Sequence, residues 1–430
     1  MMSSRRFTLL LFIIGLFSAT QVRIIGSVGI SELVMFVLAP FMYIANAALF
    51  KRGGTRTFIV LVLMSLLGCV ISSAYNDISF DNFLRGFATP YGWLAGFLVF
   101  YPLIRKEPQS FSWYLLGVAF SLILNTFMFH NSYEMVESES RGGGAAAIME
   151  GAIYWTGRID NFIKWPIEGA YMKIPIVYSI CAPLAFAIYA LISTASGRSQ
   201  ALIAFAGAVL IAFVRKDVSK MHAIRRHAIS IAVLAIVFAL IFKVAYSYLA
   251  SGGQLGEAAK AKYESQTRGG SSAFEILREG RGEMFRGLYY CVHRPIMGYG
   301  PWAIDKDRLY LDYLAKYGVG EDYLEVMNAL CSNSNRHIIV GAHSAMLQFW
   351  LAYGILGMPV WLYLFYLIYD YFTKRIGSVP EFFGYFALVL PSILWAIFFS
   401  PFGNRLEWSF LMAMLLVNRE MSNSRERLRY

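Results

Sequence analysis

Apolar residues in this chain form long uninterrupted runs that are separated by polar links. Most runs have about the 20 uncharged residues that an α-helix needs to cross the hydrocarbon core of a bilayer. The pattern predicts eleven spans, at 7–20, 28–50, 56–75, 84–104, 111–130, 172–194, 199–214, 228–250, 343–370, 382–400 and 405–418. We therefore expect an all-α polytopic membrane protein with about 11–12 transmembrane helices.

Two longer polar segments interrupt the runs and predict three parts of the chain. Residues 1–250 would form an N-terminal transmembrane bundle that includes a polar loop at 131–170. Residues 251–342 would form one large loop outside the cytosol. Residues 343–430 would supply the C-terminal transmembrane helices and a basic tail.

The composition agrees with a membrane protein and excludes several other classes. Hydrophobic residues make up 57% of the 430 residues and charged residues only 15%, whereas soluble domains have about 25% charged residues. This excludes a disordered chain, a coiled coil and a disulfide-stapled secreted domain. Four cysteines are too few for a disulfide scaffold, so we expect Cys69 and Cys181 to be buried thiols. Cys291 and Cys331 share the segment 251–342, so a disulfide between them is possible if that segment lies outside the cytosol.

A net charge of +11 can indicate a nucleic-acid partner, but the distribution of charge argues against one. Segment 251–342 carries 11 basic and 11 acidic residues, and the surplus lies in short links such as 51–56, 105–106 and 215–226. Basic links are typical of the cytosolic side, which places 251–342 on the other side. One crossing is then missing between 106 and 215, and a short or re-entrant helix at 145–157 could supply it.

The first motif with chemical potential is Ser196–Ser199, which lies between two apolar runs and contains Arg198. An arginine at the membrane is costly unless it contacts water, a partner or a phosphate. The alternative is a simple turn whose guanidinium reaches the lipid headgroups.

The second motif lies within 273–300 and predicts an amphipathic helix that ends before Pro295. Its apolar residues Leu277, Met284, Leu288 and Val292 recur at helical spacing.

This helix would carry Arg278 and Arg281 on one face, with Arg286 further along. Guanidinium groups bind phosphate oxygens through paired, charge-assisted hydrogen bonds, so the cluster could hold a lipid pyrophosphate. The alternative is a solvated face whose arginines pair with Glu275, Glu279 and Glu283.

The third motif is His343, at the junction of the large loop with an apolar run, followed by Gly354–Gly357. A histidine can act as a general base near neutral pH, although a lone interfacial histidine is more often only a hydrogen-bonding group. Asp305 and Asp307 have the spacing of a metal-binding Asp-x-Asp pair, which chance explains easily in a charged loop.

In this order, the motifs resemble those of the O-antigen ligase and O-antigen polymerase superfamily. The resemblance covers about 196–357: a Ser-Arg motif, an Arg-x-x-x-aromatic helix that runs into Pro-x-x-Gly-x-Gly, and a histidine followed by Gly-x-x-Gly. The corresponding residues here are 196–199, 281–285, 295–300, 343–347 and 354–357. The chain departs from the pattern because Gly197 interrupts the Ser-Arg pair, Ser344 replaces the usual Asn and Phe285 replaces the usual Trp.

The resemblance implies a GT-C-like fold and a multi-pass enzyme of the bacterial inner membrane with its active face in the periplasm. The donor would be an undecaprenyl-pyrophosphate-linked glycan, and the acceptor a sugar hydroxyl on another lipid-linked repeat or on lipid A–core. Polymerisation is slightly favoured over ligation. His343 would be the base, Arg198 and Arg281 would hold the pyrophosphate, and the helix argument adds Arg278 and Arg286. The reaction would need no metal or other cofactor and would invert the anomeric carbon.

Two other functions compete with this hypothesis. A lipid-linked oligosaccharide flippase or other transporter would carry basic residues inside the transmembrane bundle rather than in one outer loop. Acidic residues within the spans are scarce, with Glu32 and Asp370 near span ends, which argues against an ion-coupled transporter. A scaffold without chemistry would tolerate the loss of His343 or Arg281.

Overall fold

The structure is a computed structural model. It describes residues 4–18, 20–23, 27–128, 153–155, 248–249, 251–254, 260, 282–317, 338–399, 402 and 405–427. The spans predicted at 172–194 and 199–214, and nearly all of the span predicted at 228–250, lie outside the described residues.

The N-terminal half of the described chain consists of six helices and three short strands. The helices are α1 (Ser4–Leu16), α2 (Ile30–Ala45), α3 (Ala47–Phe50), α4 (Gly53–Tyr75), α5 (Phe80–Lys106) and α6 (Phe111–Met128). The strands are β1 (Thr20–Arg23), β2 (Ser27–Gly29) and β3 (Ile153–Trp155). A 3₁₀ turn at Pro108–Ser110 joins α5 to α6.

The C-terminal half of the described chain is helical. Its helices are α7 (Gly282–His293), α8 (Leu309–Tyr317), α9 (Ala345–Tyr353), α10 (Pro359–Asp370), α11 (Pro380–Phe399) and α12 (Arg405–Arg427). A 3₁₀ turn at Gly354–Gly357 joins α9 to α10, and a π-helical turn at Tyr371–Arg375 continues α10.

Several of these helices are long and apolar enough to cross a membrane. Among the described residues, three qualify alone: Gly53–Tyr75, Phe80–Lys106 and Glu381–Phe399. A fourth qualifies if the bent pair Ala345–Gly357 and Pro359–Arg375 counts as one span. The prediction of a mostly helical protein with apolar membrane-spanning segments is therefore confirmed at this level, whereas α1 and α2 are shorter than the predicted spans.

The span predicted at 343–370 is not one continuous helix, because the axis bends by 109° between α9 and α10. Gly354 begins the bend with a φ of +62°, a conformation that glycine adopts without steric cost. Pro359 then occupies the first position of α10, where its missing N–H costs no hydrogen bond. The apolar run thus contains two helices that meet at a corner.

The three strands form a small antiparallel sheet in the order β2-β1-β3, which the apolar pattern did not predict. β1 pairs with β3 through Val22 and Ile153. The helix suggested over 145–157 is therefore wrong at 153–155. Ile, Tyr and Trp at these positions are β-branched or aromatic, and such residues favour strands.

The core lies around α5, where an aromatic cluster joins the two halves of the chain. The Trp93 ring on α5 lies 5.6 Å from Phe58 on α4, 5.8 Å from Phe349 on α9, 5.4 Å from Trp361 on α10 and 6.2 Å from Trp408 on α12. The corner between α9 and α10 is therefore packed against α4 and α5 rather than projecting from the bundle.

Helices α4 and α5 form an antiparallel hairpin that separates two chemically different ends of the molecule. At the end we call the motif end, Asn76 and Asn82 contact Gly298 and Trp302. At the opposite end, which we call the arginine end, Arg105 contacts Glu420. A helix of the length of α4 rises roughly 34 Å, close to the thickness of a bilayer core of about 30 Å.

Candidate functional site

Helix α7 packs through a different face from the one that its apolar spacing predicts. Gly287, Tyr290 and Cys291 are buried, whereas Leu288 and Val292 are exposed, Val292 by 68%. The helix predicted before Pro295 is thus present at Gly282–His293, and its regularly spaced apolar residues Leu288 and Val292 lie on the exposed side. The reason is that the small Gly287 admits a close neighbour and that the Tyr290 hydroxyl reaches a buried carboxylate, so these positions gain more from burial.

The close approach of α7 to the segment before α9 occurs at Gly287. A β-carbon at position 287 would lie 2.3 Å from the Ala342 β-carbon, which is too close for any side chain. Glu283 lies one helical turn before Gly287, and His343 follows Ala342 directly. The packing of Gly287 on Ala342 thus places Glu283 beside His343.

The carboxylate Oε2 of Glu283 contacts the imidazole Nδ1 of His343. The side chains are 58% exposed for His343 and 48% exposed for Glu283, so both remain accessible from outside the protein. From the sequence, Glu283 is predicted only as a partner of arginines. Its partner is instead a histidine 60 positions later, which no local spacing could reveal.

Arg286 is the described member of the predicted arginine cluster. It lies three residues after Glu283 on α7, and its guanidinium carbon lies 4.8 Å from the centre of the Tyr310 ring. Its Nε is buried and has no hydrogen-bond partner among the described residues. Glu283, which contacts His343, and Arg286 thus lie within one turn of each other on α7, whereas Arg198, Arg278 and Arg281 lie outside the described residues.

The Pro-x-x-Gly-x-Gly and Gly-x-x-Gly motifs form one structural unit. The Tyr299 N–H donates to the Leu351 carbonyl at 2.7 Å, and the Ile355 N–H donates to the Ile296 carbonyl at 2.9 Å. Gly298 and Gly354 both have positive φ, and a β-carbon at either would lie 2.5 Å or less from a carbonyl oxygen of the other segment. Two motifs that are far apart in sequence therefore need glycine for the same contact.

Asp305 has a structural role in this unit. Its carboxylate accepts hydrogen bonds from the backbone of Leu309 at 3.0 Å and Tyr310 at 2.8 Å, which caps the start of α8. The Tyr290 hydroxyl donates to it at 2.7 Å. Burial, together with this bond, raises the pKa of Tyr290, so the hydroxyl keeps the proton that it donates.

Asp307 contacts a different group from Asp305. It pairs with Arg294 at 2.6 Å, and Arg294 also donates to Asn76 at 2.8 Å at the end of α4. The two carboxylates of the Asp-x-Asp pattern are thus used to fasten α8 and the turn after α7. Arg294 is a cation that the sequence analysis treated only as a helix end.

Helix α8 is fastened to α7 by a second polar group. The Tyr289 hydroxyl on α7 donates to Asp312 on α8, and the Lys316 amine lies 2.9 Å from the same carboxylate. The hydrogen bond from Lys316 holds the pKa of Asp312 below its usual value. Side-chain contacts therefore join the two helices at the motif end.

Ser344, which departs from the Asn of the resemblance described above, provides the cap of α9. Its hydroxyl oxygen accepts from the Leu347 N–H at 3.2 Å, which caps α9, and its hydroxyl donates to the Ile397 carbonyl at 2.8 Å. Serine and asparagine are both favoured at helix N-caps. The replacement therefore keeps His343 at the start of a capped helix.

The cysteines behave as isolated thiols where the structure describes them. Cys69 is buried, as predicted, and Cys291 is a free, buried thiol, so the disulfide left open for Cys291 is not formed. Burial raises the pKa of the Cys291 thiol to about 12. Cys181 and Cys331 lie outside the described residues.

Arg85 is a further cation near the motif end that the sequence analysis did not consider. It lies in α5 directly before Gly86, where an added β-carbon would lie 2.3 Å from Pro301. The Arg85 Nε is buried and without a hydrogen-bond partner among the described residues. In the sequence, the one sign that Arg85 has a role is its position inside an apolar run, where a charged residue is costly.

Comparison with protein-family models, with curated proteins and with solved structures found no match to this chain.

Proposed function

We propose that this chain is a membrane glycosyltransferase of the O-antigen ligase and polymerase type. It transfers a glycan from undecaprenyl pyrophosphate to a sugar hydroxyl at the outer face of the bacterial inner membrane. The observation that carries the proposal is the contact between Glu283 on the arginine-bearing helix and His343. Two of the three motifs that define the resemblance, the helix that runs into Pro-x-x-Gly-x-Gly and the histidine followed by Gly-x-x-Gly, thereby meet at one end of the bundle.

The Glu283–His343 pair suits the activation of a sugar hydroxyl. When the Nδ1–H of His343 donates to the carboxylate, the neutral tautomer has its basic lone pair on Nε2. As Nε2 takes the hydroxyl proton, the imidazolium that forms lies beside the Glu283 carboxylate, which stabilises it. The attacking oxygen bonds to the anomeric carbon while the bond to the pyrophosphate breaks, and this single displacement inverts the configuration.

Negative charge grows on the pyrophosphate as it leaves, and fixed cations stabilise it. Arg286 supplies a guanidinium about one turn from Glu283 on α7, with a buried Nε that lacks a hydrogen-bond partner among the described residues. Arg281 directly precedes α7, and Arg278 and Arg198 complete the set by sequence. Because Asp305 and Asp307 are engaged by backbone, tyrosine and arginine groups, the proposed mechanism uses no metal.

A transporter of lipid-linked oligosaccharides is the alternative function. It would require basic residues within the bundle, and Arg405 is one such residue. Its guanidinium lies 2.9 Å from the Glu32 carboxylate, so that charge is compensated inside the protein. The pairing supports a structural role for Arg405 and leaves the glycosyltransferase as the better proposal.

The direct test is a transfer assay with purified protein, a lipid-pyrophosphate glycan donor and a chelator. We expect His343→Ala to lower the rate by about 10²–10⁴, the usual contribution of a general base. We expect Glu283→Gln to lower the rate less and to shift the pH at which the rate is half-maximal, because the amide no longer stabilises the imidazolium. His293→Ala, an exposed histidine on the same helix, is the matched control and should retain activity.

Retention of full activity in His343→Ala would reject the proposed base, and loss of wild-type activity in EDTA would reject the metal-free mechanism. A deletion strain separates the two enzyme subclasses. Core that bears a single repeat indicates a lost polymerase, whereas bare core with accumulated lipid-linked polymer indicates a lost ligase. Unchanged surface glycan in that strain would contradict both subclasses.

A further inference from the structure

A cavity of about 920 Å³ lies at the arginine end, away from the motif end. Four arginines line it: Arg52 before α4, Arg105 at the end of α5, and Arg419 and Arg425 on α12. Arginines from three separate elements therefore line the same cavity.

The carboxylates around this cavity do not balance its arginines. Glu420 accepts from Arg105 at 2.7 Å and also lies 3.6 Å from Arg52. The guanidiniums of Arg419 and Arg425 lie 3.7 Å from Asp370 and from Glu381, respectively.

Asp370 is further shared with Arg375 and Lys374. Among these described ion pairs, six cationic side chains contact three carboxylates, so the cluster carries an excess of positive charge. Arg52 is 50% exposed and can turn toward an incoming anion without breaking a close ion pair.

The first turn of α4 adds a second feature that suits an anion. Gly53, Gly54 and Thr57 line the cavity, so the N-terminus of a 23-residue helix opens into it. The N-cap residue Arg52 provides no side-chain hydrogen bond to this turn. Helix N-termini carry partial positive charge and outward-facing N–H groups that bind phosphate.

The remaining lining is suited to a lipid rather than to a small soluble ion. Tyr363, Tyr366, Leu416 and Met421 provide aromatic and apolar surface beside the arginines. Tyrosines are enriched where a membrane meets water, and basic pockets between helices at that level hold anionic headgroups. The cavity is also larger than a single phosphate, which would leave most of the space filled with solvent.

We propose that this arginine-lined cavity binds the phosphate-bearing headgroup of an anionic phospholipid. The phosphate oxygens take paired hydrogen bonds from Arg52 and Arg419 and face the N-terminus of α4. The glycerol portion contacts the tyrosines and apolar residues of the lining. The site is independent of the proposed glycosyltransferase activity, because it lies at the other end of the α4–α5 hairpin.

The test is isothermal titration calorimetry of the full chain in an uncharged detergent with three separate titrants. These are dioctanoyl phosphatidylglycerol, dioctanoyl phosphatidylcholine and inorganic phosphate. We expect phosphatidylglycerol to bind about tenfold more tightly than either of the others. Arg52→Gln and Arg419→Gln should each weaken that binding by about tenfold, as expected for the loss of a charge-assisted hydrogen bond.

Lys51→Gln and Arg56→Gln are matched controls, because they remove exposed charges from the same link without touching the lining. They should leave the affinity for phosphatidylglycerol unchanged. If they weaken binding as much as Arg52→Gln and Arg419→Gln do, the lipid is attracted by the general positive charge of the surface and not by the cavity. Equal binding of phosphatidylcholine would overturn the anionic specificity. Equal binding of inorganic phosphate would assign the cavity to a soluble anion. The comparison of titrants uses the wild-type chain, so it decides the question even if Arg419→Gln fails to fold.

Discussion

His343 and Glu283 together can do more than a histidine alone. A lone imidazole at a membrane boundary can rotate and exchange tautomers, whereas a carboxylate at Nδ1 fixes both the ring and the position of its proton. The cost is small because both groups are about half exposed and keep contact with water. At this scale the structure favours a base that is oriented in advance rather than one that is deeply buried.

The burial of Cys291 gives a prediction about chemical reactivity. Its pKa rises from an ordinary 9.0 to about 12, which lowers the reactive thiolate at neutral pH by about a thousandfold. In a chain whose other cysteines are alanine, we expect N-ethylmaleimide to modify Cys291 slowly at pH 7.5 and faster as the pH rises. The measurement is the mass increase with time in uncharged detergent.

The matched control for this experiment is His293→Cys in a chain whose four native cysteines are alanine. Position 293 is exposed on the same helix, so its thiol should react within the ordinary time of a surface cysteine. If Cys291 reacts as fast as the thiol at 293, the buried face of α7 has been assigned wrongly.

Individual residues differ in how far the sequence predicts them. His343 can be singled out by its position at the start of an apolar run, and Arg286 by its place on the predicted amphipathic helix. Glu283 cannot, since its significance depends on Ala342 accommodating Gly287 across a long stretch of chain. The same limit applies to Asp305, whose partners Tyr290 and Tyr310 become visible only after α7 and α8 pack.

At the scale of elements, close packing of α7 determines the geometry of the candidate site. A helix can approach another segment closely only where side chains are small, and here Gly287 contacts Ala342. Any side chain at position 287 must push α7 away and so increase the distance from Glu283 to His343. The site therefore depends on a residue that has no chemistry of its own.

This dependence predicts the result of a size swap between the two positions. Gly287→Ala should destabilise the protein by about 1–3 kcal/mol, the usual cost of overpacking, and should lower glycan transfer. Adding Ala342→Gly removes the opposing β-carbon and should recover part of both losses. The measurements are thermal unfolding in detergent and transfer rate, compared for the single and double variants.

Gly282→Ala is the control, because an added β-carbon there would meet nothing within 4 Å. It should leave unfolding and activity unchanged or raise stability slightly, since alanine favours a helix. If the double variant is no better than Gly287→Ala alone, contact with Ala342 is not what limits the position.

The apolar pattern predicts straight elements well and bent ones poorly. Helices α4 and α5 match the predicted spans at 56–75 and 84–104. A long apolar run in a membrane forms a helix because only a helix satisfies the backbone hydrogen bonds within the segment. The corner at 354–358 is missed because hydropathy does not report backbone direction. Gly354 and Pro359 were its only local signals, and both residues also occur inside membrane helices.

At the scale of the whole molecule, the α4–α5 hairpin separates a candidate catalytic end from a cationic end. The motif end gathers α7, α8 and α9, whereas the arginine end gathers the described basic residues of 51–52, 105–106, 374–375 and the second half of α12. Basic links stay in the cytosol during insertion. The sequence predicted this separation from charge alone, and the structure adds that the two ends lie roughly one bilayer apart.

The separation predicts opposite labelling of two exposed lysines. In a cysteine-free chain, Lys306→Cys at the motif end should react with a membrane-impermeant maleimide in spheroplasts, because the proposed function requires that end to face outward. Lys51→Cys at the arginine end should react only in inverted membrane vesicles. Protein extracted in detergent provides the control, since both positions are exposed and should then react equally.

Labelling of both positions from the same side would mean that α4 and α5 do not span the membrane as a hairpin. Reversed labelling would place His343 in the cytosol, where a lipid-linked glycan presented at the outer leaflet could not reach it.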